Sequence, residues 1–139
     1  MIELVIVDDS ALIRAAIVEE LNGQADMRVV GEASNGQEGY ELALSVRPHI
    51  IVTDMRIGKL DGAAMAQRIK AVAPEIIVIG MSVFSDEATQ QAMRQAGVAG
   101  FIAKDKLLLD LVRVIREVTG EQTGHGTSPT ASSASSPLS

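Results

Sequence analysis

Five polar residues stand at the ends of apolar runs in this chain, and their side chains are of the kinds that bind metals and phosphate groups. They are Asp8, Asp9, Asp54, Ser82 and Lys104. Neighbouring carboxylates repel one another unless a cation lies between them, and oxygen ligands without histidine or cysteine favour a hard cation, Mg²⁺ before others. With a hydroxyl and an ammonium facing that metal, the group predicts a site for phosphoryl, in which one carboxylate is the nucleophile and forms an acyl phosphate.

The apolar runs themselves predict the elements that position these side chains. They cover residues 2–7, 27–33, 49–53, 76–80 and 99–102, and several are apolar at nearly every position, as expected of strands buried on both faces. Helical patterns alternate with them. This (βα)5 alternation predicts an α/β fold, a flavodoxin-like doubly wound parallel sheet in the strand order 2-1-3-4-5, with ligands at the carboxyl ends of the strands.

The predicted helices carry their own signals. The second, near residues 37–46, follows Asn35, which has capping-box spacing to Glu38, and the third lies near residues 63–72. The fourth opens at Ser85, with Asp86 and Glu87 in its first turn. The first helix has an apolar stripe of Leu12, Ile13, Ala16, Ile17 and Leu21. The fifth, near residues 106–118, has an apolar face and a glycine stop: Leu108, Leu111, Val112, Ile115 and Gly120.

Taken singly, each polar residue at a strand end has an ordinary structural explanation. Asp9 or Ser10 is well placed to cap the first helix, and an isolated Asp54 or Lys104 is usually a loop acid or a solvated base. Joint placement favours the chemical explanation, because the topology brings the ends of four strands into one crevice.

Composition excludes several classes of function. The 139 residues include no cysteine, which excludes disulfides, zinc–thiolate sites and cysteine nucleophiles. The net charge of −6 and only three aromatic residues argue against direct binding of nucleic acid. We expect no signal peptide and no membrane span, and hence a cytoplasmic protein. Residues 120–139 are rich in serine, threonine and glycine, which predicts a folded domain over 1–119 and a disordered tail over 120–139.

Short motifs at the strand ends resemble those of one family. They read VIVDDS over residues 5–10, IVTDM over 51–55, LDG over 60–62, MS over 81–82 and GFIAK over 100–104. With them, residues 1–119 resemble the receiver domain of bacterial two-component response regulators. The resemblance implies that Asp54 accepts a phosphoryl group from a sensor histidine kinase or phosphotransfer protein. It also implies that Asp8, Asp9, Asp54 and the backbone carbonyl of Arg56 hold Mg²⁺.

The same resemblance implies a conformational output. Ser82 would be the switch hydroxyl that moves to the phosphoryl group, Lys104 would pair with that group, and Phe101 would be the switch aromatic that turns inward. A partner would then read the surface of helix 4, strand 5 and helix 5. On that face Leu107 and Val114 predict weak, phosphorylation-enhanced self-association, unless Leu107 only covers the edge of the core.

Three positions depart from the family pattern. Gly58 stands where proline is usual, Val83 follows the switch hydroxyl where a small residue is usual, and Arg56 places a cation two residues after the acceptor. We expect these changes to alter rates rather than remove activity, because no essential group is lost. The alternative for Val83 is that its side chain points into the core between sheet and helices.

The leading hypothesis is a signalling switch rather than an enzyme, acting as a single-domain regulator or in a relay. The last motif of the chain, GFIAK followed by Asp105, resembles the corresponding motif of receivers that precede helix-turn-helix output domains. One alternative is a Mg²⁺-dependent aspartyl phosphohydrolase, although the haloacid-dehalogenase type places Asp-x-Asp after strand 1 and this chain has adjacent Asp8 and Asp9. A flavin-binding module would need a phosphate loop after strand 1, where this chain has Asp8 and Asp9. A degenerate receiver, which no longer takes phosphate, would lack some of the five polar residues, and this chain has all five.

Overall fold

Strands and helices alternate along the chain in the computed structural model, which describes residues 1–56, 61–84 and 86–123. The strands are β1 (Ile2–Val7), β2 (Met27–Ala33), β3 (Ile50–Asp54), β4 (Ile77–Ser82) and β5 (Gly100–Ala103). The α-helices are α1 (Ala11–Asn22), α2 (Gly36–Val46), α3 (Gly62–Val72), α4 (Glu87–Gln95) and α5 (Leu107–Thr123). A 3₁₀ turn, Lys104–Lys106, connects β5 to α5.

All strand pairs in the sheet are parallel, and the order is β2-β1-β3-β4-β5. This confirms the predicted order 2-1-3-4-5. The register pairs Val7 with Thr53, Asp54 with Met81, and Ser82 with Ala103. The carboxyl ends of β1, β3, β4 and β5 therefore meet at one edge of the sheet, beside the position where the strand order reverses.

Helices cover both faces of the sheet and give the molecule two apolar layers. One layer packs α2, α3 and α4 against the sheet, with Ala43, Met65, Ile69 and Met93 buried there. The other packs α1 and α5 against the opposite face, with Ile17, Leu21, Leu111 and Ile115 fully buried. Burial on both faces explains why β3 and β4 are buried along their whole length, as the uniformly apolar runs predict.

Side-chain caps fix where the helices begin. Ser10 accepts a hydrogen bond from the Ile13 amide at the start of α1, so the structural explanation for Ser10 is correct. Asn35 caps α2 by accepting from the Glu38 amide at 2.8 Å, as predicted. Asp86 caps α4 and accepts from the Thr89 amide, so α4 begins at Glu87. The prediction that Asp86 lies in the first turn is wrong, because its backbone is extended there.

The strand ends and the phases of two helices differ from prediction. β3 and β4 end one or two residues later than predicted, so Asp54 and Ser82 are themselves the last residues of their strands. Leu12 on α1 is 81% exposed, and Leu108 on α5 is half exposed. Leu107 and Val114 are instead buried in the core, which removes the two residues that supported the predicted self-association surface.

The end of α5 is also different. The helix continues through Gly120 to Thr123, so Gly120 does not stop it. A glycine inside a helix costs about 1 kcal/mol relative to alanine, which a long, well-packed helix tolerates. Residues 124–139, which make up most of the predicted tail, lie outside the described residues, as do Gly58 and Ser85. Among the helices that the structure describes, none has the length and hydropathy needed to cross a membrane.

Candidate functional site

Three carboxylates meet at the carboxyl edge of the sheet. Asp8, Asp9 and Asp54 each offer an oxygen atom, and these atoms lie within 4.8 Å of one another. Asp8 is fully buried and Asp54 is 7% exposed, whereas Asp9 is open to solvent. The cluster is therefore closed on the protein side and accessible on one side, as a binding site for a small charged ligand requires.

Lys104 supplies the positive charge that faces these carboxylates. Its Nζ atom lies 2.8 Å from Asp8 Oδ2 and 3.0 Å from Asp54 Oδ2. Burial by itself would lower the pKa of Lys104, but the hydrogen bonds and charges of Asp8 and Asp54 outweigh burial and raise that pKa above its usual value. The lysine is therefore an ammonium at neutral pH, and it joins the ends of three strands.

Backbone amides fix the other oxygen of each buried carboxylate. The Ser10 amide donates to Asp8 Oδ1 at 2.8 Å, and the Arg56 amide donates to Asp54 Oδ1 at 3.0 Å. Each carboxylate thus presents Oδ1 to the backbone and Oδ2 to Lys104. These contacts hold both groups in one orientation, which is a precondition for in-line chemistry at either of them.

Several residues that the sequence did not single out support this arrangement. The Arg14 guanidinium donates to the Asp8 carbonyl oxygen at 2.7 Å, and the Thr53 hydroxyl donates to the Asp54 carbonyl oxygen at 2.9 Å. At Gly62 a Cβ atom would lie 2.7 Å from the Asp54 carbonyl oxygen, so only glycine lets the start of α3 approach so closely. In the sequence, Gly62 stood only as the last residue of the LDG motif, with no role of its own.

Ser82 lies next to the carboxylates but is not bonded to them. It is 2% exposed and stands one residue beyond Met81, the register partner of Asp54. Its hydroxyl oxygen accepts a hydrogen bond from the Phe84 amide at 3.0 Å, which leaves its proton free to donate. Val83 is 67% exposed, so the alternative that its side chain fills the core is wrong.

Phe101 lies away from the charged cluster. Its ring is half buried on β5 and packs against the layer formed by α2, α3 and α4. It lines a cavity of about 90 Å³ together with Met93, Arg94 and Val98. The structure thus brings four of the predicted residues, Asp8, Asp9, Asp54 and Lys104, into one cluster, with Ser82 beside it and Phe101 on the neighbouring face.

The donor set fits a hard divalent cation. All three acids offer oxygen, their combined charge exceeds what one ammonium neutralises, and such ligands suit Mg²⁺. One buried atom, Asp8 Oδ2, has no hydrogen bond of good geometry within the described part of the chain, and the Lys104 ammonium at 2.8 Å is the cation beside it. A buried carboxylate oxygen with spare capacity is what a metal ligand requires.

Comparison with known proteins identifies the family. The model of the response regulator receiver domain matches residues 4–116 of the chain. The chain belongs to the response regulator receiver domain family. The resemblance seen in the motifs is thereby confirmed, and Asp8, Asp9, Asp54 and Lys104 all lie within the matched residues.

Curated relatives contain this receiver domain as one part of a longer chain. The response regulator GacA of Pseudomonas aeruginosa is 29% identical over 122 residues, which cover 88% of this chain and 57% of GacA. The response regulator VraR of Staphylococcus aureus is 29% identical over 118 residues, 85% of this chain and 56% of VraR. A protein-glutamate methylesterase of Syntrophomonas wolfei is 33% identical, over 84% of this chain and 34% of the enzyme. The chain therefore spans little more than half the length of GacA and VraR and about a third of the methylesterase.

Solved receiver domains share the fold. The response regulator domain of Thermotoga maritima CheB superposes with a TM-score of 0.79 at 29% identity, covering 84% of this chain and 95% of the other. The signal receiver domain of NarL from Mycobacterium tuberculosis gives a TM-score of 0.80 at 28% identity, over 84% and 94% of the two chains. The predicted flavodoxin-like receiver fold is confirmed.

Proposed function

We propose that this receiver domain is a phosphorelay switch in which Asp54 accepts a phosphoryl group from a sensor histidine kinase or phosphotransfer protein. The observation that carries the proposal is the geometry of Asp54. Its carboxylate is nearly buried, is oriented by the Arg56 amide, and lies 3.0 Å from the Lys104 ammonium. A fixed carboxylate beside a fixed cation is suited to attack on an anionic phosphoryl group, because the cation offsets the repulsion between them.

The chemistry divides among the residues of the cluster. A carboxylate oxygen of Asp54 forms the new bond to phosphorus, and the bond from phosphorus to the donor's nitrogen or oxygen breaks. The electron pair of that bond goes to the donor, which takes any proton it needs from solvent. Lys104 neutralises charge on the transferred oxygens, and the Ser82 hydroxyl donates a hydrogen bond to one of them. The product is an acyl phosphate that is hydrolysed unless it is passed on.

Asp8, Asp9, Asp54 and the backbone carbonyl of Arg56 would hold Mg²⁺. When bound, Mg²⁺ would supply further positive charge next to the transferred group. Asp8 is the buried member of this ligand set, and its orientation depends on the Ser10 amide and the Lys104 ammonium.

The output would pass through the face made by α4, β5 and α5, which carries Phe101. A downstream protein reads this face after Ser82 and Phe101 change position, in the cytoplasm, without direct contact to nucleic acid or membrane. Weak self-association through the same face stays a prediction, now without Leu107 and Val114, which are core residues. The methylesterase relative is matched over 34% of its length, so this match supports a receiver domain and carries no argument about an esterase activity.

Incubation of the protein with acetyl phosphate and Mg²⁺ distinguishes a switch from the alternative phosphohydrolase. We expect one phosphoryl group per chain, lost slowly, and no turnover of unrelated phosphoesters, because a switch keeps its phosphoryl group on the single acceptor Asp54. The measurement is intact mass for the adduct and released phosphate for turnover. Rapid release of phosphate from many phosphoesters would contradict the switch and favour the hydrolase.

Val83→Ala is expected to keep the adduct and to speed both its formation and its loss several-fold. Val83 follows Ser82 and is 67% exposed, so its two methyl groups lie outside the core and beside the site, where crowding changes the angle of approach. Unfolding free energy should change by less than about 0.5 kcal/mol, as at other exposed positions. Adduct half-life and melting temperature measured on the same variant test this. An unchanged half-life would mean that Val83 does not limit access.

A further inference from the structure

One cation beside the acidic cluster is not used by the chemistry above. Arg56 is exposed, two residues after Asp54, and its guanidinium lies over the ring of Phe84 at 5.2 Å from the centroid. Within the described part of the chain this guanidinium forms no ion pair, although three carboxylates stand nearby. The Phe84 ring, rather than a carboxylate, is therefore the partner of this guanidinium among the described residues.

Both members of this pair are attached to the site through their backbones. The Arg56 amide donates to Asp54 Oδ1, and the Phe84 amide donates to Ser82 Oγ, each at 3.0 Å. The contact between Arg56 and Phe84 therefore connects the end of β3 to the end of β4 directly beside the acceptor carboxylate and the hydroxyl. The Arg56 side chain thus begins at a residue whose own backbone amide touches the acceptor carboxylate.

Charge balance indicates when the guanidinium is needed. The three carboxylates would be balanced by the Lys104 ammonium together with one divalent cation, when such a cation is bound. Replacing the Asp54 carboxylate by an acyl phosphate adds a negative charge that nothing in the cluster offsets. A guanidinium restores the balance, and its planar fork of donors matches the oxygens of a phosphoryl group.

We propose that Arg56 is a second phosphoryl-binding cation, held on the Phe84 ring at the mouth of the site until a phosphoryl group arrives on Asp54. The proposal rests on the proposed function. In the resting state the ring keeps the guanidinium off Asp54 and Asp9, so that it does not compete with a divalent cation. After transfer the phosphoryl oxygens offer charge-assisted hydrogen bonds that outweigh the weak hold of the ring.

The test uses beryllofluoride, a stable mimic of the phosphoryl group, in the presence of Mg²⁺. We expect Arg56→Met to weaken the beryllofluoride titration midpoint, followed by fluorine NMR, by about three- to tenfold, and the difference to shrink at high salt. Arg56→Lys should recover part of the loss. The matched control is Arg68→Met, because Arg68 lies over the Tyr40 ring at 4.4 Å, on α3 and outside the cluster. That variant should stay within about twofold of the unmodified protein.

A second readout follows the side chain itself. The ring of Phe84 should shift the δ-methylene proton resonances of Arg56 in the resting protein, and saturating beryllofluoride should remove that shift. Phe84→Leu should abolish the resting shift and leave the midpoint within about twofold. A midpoint as weak as that of Arg56→Met would overturn the proposal, because the effect would then come from the ring rather than from the guanidinium.

Failure of this inference is distinguishable from failure of the proposed function. If the unmodified protein binds neither beryllofluoride nor a phosphoryl group, the proposed switch function is wrong, and the proposed role of Arg56 is then wrong as well. If the unmodified protein binds both, either of two results overturns only the role of Arg56. One is that Arg56→Met has the midpoint of Arg68→Met, and the other is that beryllofluoride leaves the Arg56 δ-methylene shifts of the unmodified protein unchanged.

Discussion

Replacing Lys104 with methionine is expected to lower the unfolding free energy by about 3 kcal/mol in Mg²⁺-free buffer. Asp8 is fully buried, and the ammonium of Lys104 at 2.8 Å is the charged partner of its Oδ2 atom. Methionine keeps the unbranched shape and most of the length of the side chain but leaves a buried carboxylate without compensation, next to two further acids. Breaking a buried pair from one side is costly for this reason.

Urea denaturation measures this effect, and Lys106→Met is the matched control. Lys106 is exposed and stands two residues further along the chain, so its replacement should change the unfolding free energy by less than about 0.5 kcal/mol. Added Mg²⁺ should narrow the gap between Lys104→Met and the unmodified protein, because the more negative site binds a cation more strongly. Equal stability of the two variants without Mg²⁺ would contradict the account of the ion pairs.

The sign of the pH dependence follows from the raised pKa of Lys104. A base whose pKa is higher in the folded protein than in the unfolded chain stabilises the fold fully below its unfolded value. That contribution is lost as the pH rises through the folded value. The contribution of Lys104 should therefore be constant through the neutral range and disappear only at strongly alkaline pH.

Asp54→Asn is expected to abolish formation of the phosphoryl adduct. The amide is nearly the same size and can still accept the hydrogen bond from the Arg56 amide, but it has no carboxylate to attack phosphorus. It also removes one of three neighbouring negative charges, so we expect no loss of the fold. Circular dichroism and urea denaturation of the variant check that a missing adduct is not a consequence of unfolding.

The fold could be predicted from the sequence because its strands are buried on both faces. The runs that became β1 and β2 have the predicted bounds, and the order of the sheet follows from the alternation of strands and helices. The positions of Asp8, Asp54 and Lys104 follow from the same topology, since parallel strands bring their carboxyl ends to one edge. The periodicity of apolar residues and the rules for connecting parallel strands were sufficient to predict the sheet and the edge at which these residues meet.

The phase of α5 could not be predicted in the same way. The set 108, 111, 112 and 115 and the set 107, 111, 114 and 115 both fit a helical period, and the sequence supports either. The angle at which α5 packs on the sheet decides between them, and it buries Leu107 and Val114 while leaving Leu108 half exposed. Such an angle depends on tertiary contacts with α1 and β5.

Side-chain contacts around the site were also beyond the sequence. Two examples are the hydrogen bond from the Arg14 guanidinium to the Asp8 carbonyl oxygen and the contact of Arg56 with Phe84. Each joins residues from different loops or elements. No spacing rule links such positions, because their proximity is set by the turns between elements. The sequence identified Arg56 as a cation near the acceptor, but not the ring that holds it.

The most direct test of the account is to locate the phosphoryl group after incubation with acetyl phosphate and Mg²⁺. The unmodified protein, Asp54→Asn and Asp61→Asn are compared by peptide mass mapping. Asp61→Asn is the matched control, because Asp61 caps α3 and asparagine caps equally well. We predict one phosphoryl group on the peptide that contains Asp54 in the unmodified protein and in Asp61→Asn, and none in Asp54→Asn. An adduct on another residue, or one that persists in Asp54→Asn, would contradict the assignment of Asp54 as the acceptor.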